Sequence, residues 1–191
     1  MVGVGGSLRS GSTTEAVLRY ALDRASDEGA RVRLVAGEDL VLPPYQPGRR
    51  DAEGGAAFIG AVREADGLII ASPGYHGTVS GLTKNALDYL EELRGDDPPY
   101  LTGRPVGCVA TAFGWQAAVT TLVTLRQVVH ALRGWPSPLG VAINMADHPL
   151  DADGNLVEDR ARELLSTVAA EVCGFALARA AGTSSEESQT A

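Results

Sequence analysis

Residues 2–25 read VGVGGSLRSGSTTEAVLRYALDRA, and this stretch decides the fold class. A short run of valines and glycines comes first, and a loop of small residues rich in hydroxyl groups follows it. From residue 13 onward the apolar positions recur at helical spacing (Val17, Leu18, Ala21, Leu22 and Ala25). The stretch therefore predicts a strand that turns directly into a helix over 13–28, with a Ser/Thr cap before it and Gly29 after it.

The same alternation repeats along the rest of the chain. Short β-type runs are predicted to form strands at 31–35, 67–72, 105–112 and 139–144. Segments with helical periodicity are predicted to form helices at 51–65, 80–94, 116–132 and 156–180. Strands that alternate with helices, and whose central members are fully apolar, indicate an open parallel sheet covered by helices on both faces.

Bulk properties limit the classes of function. The length predicts one domain over residues 1–181, and the polar segment 182–191 is predicted to be a disordered tail. A net charge of -8 argues against a nucleic-acid surface. Because no apolar run of about 18 residues or signal-type segment occurs, we expect no membrane association and a cytoplasmic location. Cys108 and Cys173 lie in apolar segments without metal-site spacing, so buried inert thiols and no metal site are predicted.

Three loops of unusual composition follow predicted strands. They read GSLRSGSTT (6–14), SPGYHGTVSG (72–81) and TAFGWQ (111–116). The strands before them are the first, third and fourth, which are neighbours in a sheet of order 2-1-3-4-5. Ligands of such sheets bind beyond the carboxyl ends of the strands, where the strand order switches. The three loops are therefore predicted to form one ligand site.

The first loop suits a single phosphate group. The dinucleotide motif G-x-G-x-x-G fails because Leu8 stands at its third glycine, and the P-loop fails because Ser12 stands at its lysine. Hydroxyls and backbone N–H groups at a helix N-terminus can surround a phosphate monoester, and one arginine adds charge. We expect Ser7, Arg9, Ser12 and Thr13 to bind the phosphate of FMN. A helix cap with a solvated arginine is the alternative.

The second and third loops suit a flat heterocycle. Small residues allow close approach of the backbone to a ligand, and ring side chains supply an apolar rim. The predicted contacts to the ring are Pro73, Gly74, Tyr75 and His76 on one side and Thr111 and Gly114 on the other. The alternatives are ordinary capping of the core by the aromatic residues and a surface histidine in a turn.

The segments GSLRSGS, SPGYHGTVSGLTKNALDYL and TAFGW together resemble the NAD(P)H-dependent FMN reductases. This family includes chromate and quinone reductases and the flavin reductases of two-component monooxygenases, and the resemblance spans about residues 2–145. It implies a flavodoxin-like three-layer sandwich with a five-stranded parallel sheet of order 2-1-3-4-5. It also implies bound FMN that takes a hydride from NADPH or NADH and passes it to free flavin, a quinone or another oxidant in a ping-pong cycle. No catalytic side chain is expected, because the flavin carries the chemistry.

The resemblance also implies partners. A small-molecule electron acceptor is expected, with a flavin-dependent monooxygenase as a further candidate, and the protein is expected to be a homodimer or homotetramer. Lys84, Asn85 and Asp88 match the K-N-x-x-D pattern of a helix that belongs to the family's dimer interface. The family often has P-E-Y-N at positions 73–76, so the roles of that Glu and Asn do not transfer to this chain. A flavin-binding electron shuttle or redox sensor without turnover is the alternative function.

Overall fold

The computed structural model describes residues 1–9, 11–49, 54–147 and 149–189. The strands are β1 Val2–Gly5, β2 Arg33–Ala36, β3 Leu68–Tyr75, β4 Thr78–Val79, β5 Pro105–Ala112, β6 Trp135–Pro136 and β7 Val141–Asn144. The helices are α1 Thr13–Asp27, α2 Gly55–Arg63, α3 Gly81–Asp88, α4 Trp115–Ala131 and α5 Asp159–Gln189.

The sheet has the predicted order. β2, β1, β3 and β5 lie side by side in parallel, and the fifth position beside β5 is shared by β6 and β7. α1 and α5 bury their apolar faces against one side of the sheet, while α2, α3 and α4 cover the other. The predicted flavodoxin-like three-layer α/β fold is therefore confirmed, with two additional short strands.

The fifth strand is interrupted, which explains residues 134–144, to which the sequence assigned no role beyond entry into the last strand. β6 pairs with the start of β5 and β7 pairs with its end, so residues 137–140 bulge away between them. Pro136 and Pro138 have no N–H group to offer a ladder, and proline is tolerated on edge strands for this reason. A short, interrupted edge that contains proline disfavours pairing with another sheet.

Several element boundaries differ from the sequence prediction. The second strand begins at Arg33 rather than at residue 31, and the third continues to Tyr75 instead of ending at residue 72. The predicted helix 80–94 is an α-helix only to Asp88 and then narrows to a 3₁₀ helix over Tyr89–Leu93. The extension of β3 matters most, because it carries the second loop past the edge of the sheet.

The last helix is longer than predicted. It runs to Gln189, about nine residues beyond the predicted end, since no proline interrupts it. By length and composition its segment 159–182 would be long and apolar enough to cross a membrane. Its inward residues Leu165, Val168 and Val172 are fully buried against the sheet. The division into a domain of residues 1–181 and a disordered tail stays a prediction.

Candidate functional site

The first loop leaves the sheet through a glycine that no other residue can replace without strain. Gly5 ends β1 with φ of 140°, and a Cβ built there would lie 1.8 Å from the carbonyl oxygen of Ala71 on β3. The N–H of Gly6 donates to that same carbonyl at 3.3 Å. The two central strands therefore hold the start of the loop against the carboxyl end of β3.

Four loops meet at this end of the sheet and enclose a cleft of about 220 Å³. They follow β1, β3, β5 and β7, whose last residues are brought level by the parallel register. The cleft is lined by Ser7, Arg9, Ser12, Thr13, Thr14, Pro73, Gly74, Tyr75, Thr111, Ala112, Phe113 and Met145. The cleft therefore lies at the carboxyl ends of the strands, where the topology predicts a ligand site.

The part of the cleft formed by the first loop is rich in hydrogen-bond donors. The Oγ of Ser12 caps α1 by accepting the N–H of Glu15 at 3.2 Å, and the Oγ of Ser7 accepts the N–H of Arg9 at 3.2 Å. Each hydroxyl uses an oxygen lone pair in these bonds, so its hydrogen stays available to a ligand. The N-terminus of α1 lies at this end of the cleft as well, and the free N–H groups of a helix N-terminus favour anions.

Arg9 is the charged residue of the cleft lining. Its side chain is exposed, and no hydrogen bond or ion pair of its guanidinium is found among the described residues. Arg19 on α1, by contrast, is bound by Glu15 through two N–H donors. A guanidinium at a helix N-terminus is otherwise repelled by the helix dipole, so its place there is favoured by an anionic ligand.

A pair of hydroxyls fixes the first loop to the third. Thr14 Oγ1 and Thr111 Oγ1 are 2.6 Å apart, and both residues are buried. Thr14 belongs to the first turn of α1, and Thr111 lies near the end of β5. The hydrogen bond sets the distance between the part of the cleft rich in donors and the wall opposite it.

The second loop is a hairpin that stands above the sheet. β3 and β4 pair in antiparallel fashion through Gly74 with Val79 and Tyr75 with Thr78. The two residues between them, His76 and Gly77, have φ of 53° and 81°, the signature of a type I′ turn. His76 therefore sits at the tip of the hairpin, outside the cleft lining.

Gly74 is held by the helix behind it. A Cβ at this position would lie 2.5 Å from Thr121 Oγ1 and 3.1 Å from the Cβ of Ala112. Thr121 Oγ1 donates to the carbonyl of Thr78 at 3.3 Å, which fastens β4 to α4. The glutamate that the family often has at this position would meet the Thr121 hydroxyl, and this is the physical reason for glycine here.

The mouth of the cleft is apolar and faces solvent. Phe113 is 75% exposed and Tyr75 is 54% exposed, on opposite loops. Both rings lie beside the cleft and add apolar surface to its mouth. The small residues Gly74 and Ala112 also line the cleft, on the same two loops, and leave room for a flat group.

Gly114 does not line the cleft, and its N–H is already bonded. It donates to Asn144 Oδ1 at 2.8 Å, and the N–H of Ala146 donates to the same oxygen at 3.1 Å. Asn144 Nδ2 in turn donates to Asp147 Oδ1 at 3.1 Å. The loop after β5 is therefore tied to the loop after β7 by one side-chain amide.

Eight of the ten residues predicted from the sequence line this one cleft, and His76 and Gly114 do not. The four other lining residues are Ala112 and Phe113, which lie within the predicted third loop, and Thr14 and Met145, which the sequence analysis did not select. Thr14 belongs to the same Ser/Thr run as Thr13, and Met145 directly follows the last strand, so the rule that ligands bind beyond strand ends could have found both. The binding role of all these residues is still a prediction.

The Lys, Asn and Asp side chains of the K-N-x-x-D segment make hydrogen bonds and an ion pair within the chain. Asn85 Oδ1 accepts the N–H of Tyr45 at 2.9 Å, and its Nδ2 donates to the carbonyls of Leu42 and Pro43. Asn85 therefore anchors the long connection after β2 to α3. Lys84 and Asp88 form an exposed ion pair one helical turn apart. These contacts all lie within one chain, and the predicted place of this segment in a dimer interface stays a prediction.

The connection is also held by a tyrosine with a raised pKa. The hydroxyl of Tyr45 donates to Glu92 Oε1 at 3.0 Å. Burial and then the bond to the Glu92 carboxylate raise the pKa of Tyr45 to about 12. Burial likewise raises the pKa of the Cys108 thiol to about 12 and raises that of Cys173, which fits the inert thiols predicted from the sequence.

Three larger clefts of about 670, 550 and 760 Å³ lie elsewhere on the surface. The first lies between β2 with the segment after it and the start of α2, the second at the amino end of the sheet, and the third beside the connection after β2. Each is lined by charges of both signs. The smaller cleft combines the carboxyl ends of β1, β3 and β5 with the N-terminus of α1, which is where ligands of this fold class bind.

Comparison with known proteins agrees with this geometry. A sequence profile described as NADPH-dependent FMN reductase matches residues 1–148. An NAD(P)H-dependent FMN reductase of Pseudomonas aeruginosa is 30% identical over 173 residues, which cover 86% of this chain and 88% of that protein. An NADPH azoreductase of a Bacillus species is 28% identical over 175 residues, covering 92% and 91%.

The fold is shared with solved structures. The flavoenzyme NAD(P)H:(acceptor) oxidoreductase FerB of Paracoccus denitrificans superposes with a TM-score of 0.74 at 18% identity, over 92% of this chain and 95% of that one. The profile match covers more than half of the chain, and it includes all four loops of the cleft. The chain therefore belongs to the NADPH-dependent FMN reductase family of oxidoreductases, which use FMN as cofactor and NADPH or NADH as co-substrate.

Proposed function

We propose that this protein binds FMN in the cleft between the four loops and acts as an NAD(P)H-dependent reductase of small-molecule acceptors. FMN supplies the chemistry when bound, because its ring can take a hydride from NADPH or NADH and pass electrons on to an acceptor. The observation that supports the proposal most is the unpaired guanidinium of Arg9 beside free hydroxyl donors at the N-terminus of α1.

The first loop fits a phosphate monoester. The hydroxyls of Ser7, Ser12 and Thr13 converge with the N-terminal N–H groups of α1, and Arg9 adds a positive charge. A dianionic terminal phosphate accepts several hydrogen bonds at once and is stabilised by the positive end of the helix. The absence of a P-loop lysine among these residues agrees with a phosphate that is held and not transferred.

The other half of the cleft fits a planar ring. Pro73, Gly74 and Tyr75 form one wall, Thr111 and Ala112 the other, and the small side chains let the backbone approach a ligand closely. Backbone N–H groups along such a wall stabilise negative charge on a reduced ring. The exposed rings of Tyr75 and Phe113 leave one face of the site open, where a nicotinamide and then an acceptor could stack in turn.

Arg9 and Tyr75 are the ionisable side chains of the described cleft lining. In a ping-pong scheme, one substrate leaves the open face of the site before the next one enters it. Such a reaction needs the chain only to bind and orient the reactants and to exclude water from them. Free flavin, quinones and azo compounds are planar acceptors that suit this opening. A flavin-dependent monooxygenase is a further candidate partner.

Assembly into a homodimer or homotetramer belongs to the same proposal. The outward face of α4 carries Trp115, Val119 and Val123 one helical turn apart, and all three are exposed. This apolar stripe begins beside the mouth of the cleft, so a second copy packed on it would lie close to the site. Sedimentation of the purified protein at several concentrations tests this part independently of activity.

Binding of flavin to the purified apoprotein tests the phosphate assignment. We expect Arg9→Ala to weaken FMN binding about tenfold, which corresponds to about 1.5 kcal/mol for an exposed charged hydrogen bond. Riboflavin, which lacks the phosphate, should bind both proteins equally. Arg94→Ala is the matched control, because Arg94 is exposed and paired only with Glu91 at 3.8 Å. Equal FMN affinity in Arg9→Ala and the parent would refute the assignment.

Rapid mixing of the FMN-loaded protein with NADPH or NADH tests the reductase activity. Loss of the flavin absorbance near its visible maximum on mixing, followed by its return when a quinone or azo compound is added, is the expected result. An unchanged spectrum with both nucleotides would instead identify the flavin-binding electron shuttle.

A further inference from the structure

Asn144 holds together two loops of the cleft without touching the cleft itself. It is the last residue of β7 and is 8% exposed. Its Oδ1 accepts the N–H of Gly114 at 2.8 Å and that of Ala146 at 3.1 Å. Because both neighbours are backbone donors, the atom facing them must be the amide oxygen and not the nitrogen.

Each of these N–H groups belongs to the residue directly after a residue of the cleft lining. Phe113 precedes Gly114, and Met145 precedes Ala146. One amide oxygen therefore fixes the positions of Phe113 and Met145 relative to each other. The N-cap residue of α4 is Gly114, which has no side chain to cap the helix. The polar side chain at the start of this helix is therefore that of Asn144, which accepts the N–H of Gly114.

The other end of the amide is fixed as well. Asn144 Nδ2 donates to Asp147 Oδ1 at 3.1 Å, at the end of the turn that contains Met145. All three contacts point to one orientation of the side chain, which keeps the oxygen on the two N–H groups. Removal of the amide would leave both donors without a partner and free both loops.

We propose that Asn144 is a positioning residue of the flavin site, and that it sets the width of the ring end of the cleft through Phe113 and Met145. The inference rests on the proposed function, in which the ring of FMN lies between these loops. The side-chain hydrogen bonds of Asn144 go to Gly114, Ala146 and Asp147, and none goes to a described residue of the first loop, which forms the phosphate end. The role of Asn144 can therefore be separated from phosphate binding.

Binding of FMN and of riboflavin to the apoprotein separates the two ends. We expect Asn144→Ala to weaken both ligands by the same factor, about tenfold, because only the ring end changes. Arg9→Ala serves as the comparison, since it should weaken FMN alone. Ser137→Ala is the matched control: Ser137 is also a buried polar residue at this sheet edge, and its Oγ donates only to the carbonyl of Leu139 at 2.7 Å.

An exchange of the two side chains supplies a rescue. Asn144→Asp alone keeps the acceptor for both N–H groups but turns a second carboxylate oxygen toward Asp147. In the double variant Asn144→Asp/Asp147→Asn, the new amide at position 147 can donate to the new carboxylate at position 144. The hydrogen bond between these two side chains is thereby restored in the reverse direction. We expect the single variant to bind both flavins more weakly and the double variant to return to within about twofold of the parent.

Each outcome decides the matter. If Asn144→Ala binds both flavins with unchanged affinity, or loses affinity for FMN alone, the inference is overturned. The proposed function would still stand if Arg9→Ala weakened the binding of FMN alone. A double variant that binds no better than Asn144→Asp would also overturn it. A parent protein that binds neither flavin would refute the proposed function itself. Thermal unfolding of each apoprotein compares the stability lost in Ser137→Ala with that lost in Asn144→Ala. We expect similar losses of stability, with flavin affinity changed only in Asn144→Ala.

Discussion

The contact between Gly74 and Thr121 yields the sharpest test of how the hairpin is built. Gly74→Ala places a Cβ 2.5 Å from Thr121 Oγ1, closer than real Cβ atoms approach, and 3.1 Å from the Cβ of Ala112. Thr121 is fully buried between sheet and helix, so it has little room to move. Overpacking of this kind costs about 1–3 kcal/mol. For a chain of this length that lowers the Tm by roughly 2–12 °C.

A double-mutant cycle isolates the hydroxyl. Thr121→Ala alone loses the bond to the Thr78 carbonyl and should cost about 1 kcal/mol. In Gly74→Ala/Thr121→Ala the new methyl group can occupy the space that the hydroxyl left, so the double variant should be at least about 1 kcal/mol more stable than the sum of the single effects predicts. Urea unfolding followed by circular dichroism measures all four proteins.

The matched control is Gly81→Ala at the start of α3. A Cβ there meets nothing within 4 Å, so stability should stay the same or rise by about 0.5 kcal/mol. If the effects of Gly74→Ala and Thr121→Ala simply add within about 0.5 kcal/mol, the threonine hydroxyl is not what excludes a side chain at position 74. A Gly74→Ala protein as stable as the parent would contradict the packing argument directly.

Three further predictions concern other parts of the molecule. Thr111→Val should lower the free energy of unfolding by about 1–2 kcal/mol, because it leaves the buried Thr14 hydroxyl without its partner, and a Thr14→Val/Thr111→Val protein should regain part of the loss in urea unfolding. His76→Val should cost more than about 1 kcal/mol, because β-branched residues resist positive φ, whereas His76→Asn should cost nothing in the same assay. At pH 8 a thiol reagent should modify neither Cys108 nor Cys173 in the native protein, because burial raises the pKa of both thiols. The same reagent should modify both cysteines in denaturant, and rapid labelling of the native protein would contradict their burial.

The sequence alone determined the fold class and the place of the cleft. Strand and helix periodicities alternate clearly, and the parallel order that follows from them brings the ends of particular strands together whatever the side chains do. For this reason the first loop and Pro73, Gly74, Tyr75 and Thr111 could be assigned to one site before any coordinates were known. The composition of these segments, small and rich in hydroxyls, was enough to suggest a phosphate and a flat ring.

Only the tertiary structure decided which residues face the cleft and which support it. His76 was assigned to the site because it follows Tyr75, but a type I′ turn carries it to the hairpin tip. Gly114 was assigned to the site as part of a loop, yet its N–H is used by Asn144, thirty residues away in the chain. Such contacts depend on backbone direction and on partners distant in sequence. Periodicity and composition report local conformational preference and burial. They contain no information about the direction of the backbone in a turn or about partners that are distant in sequence.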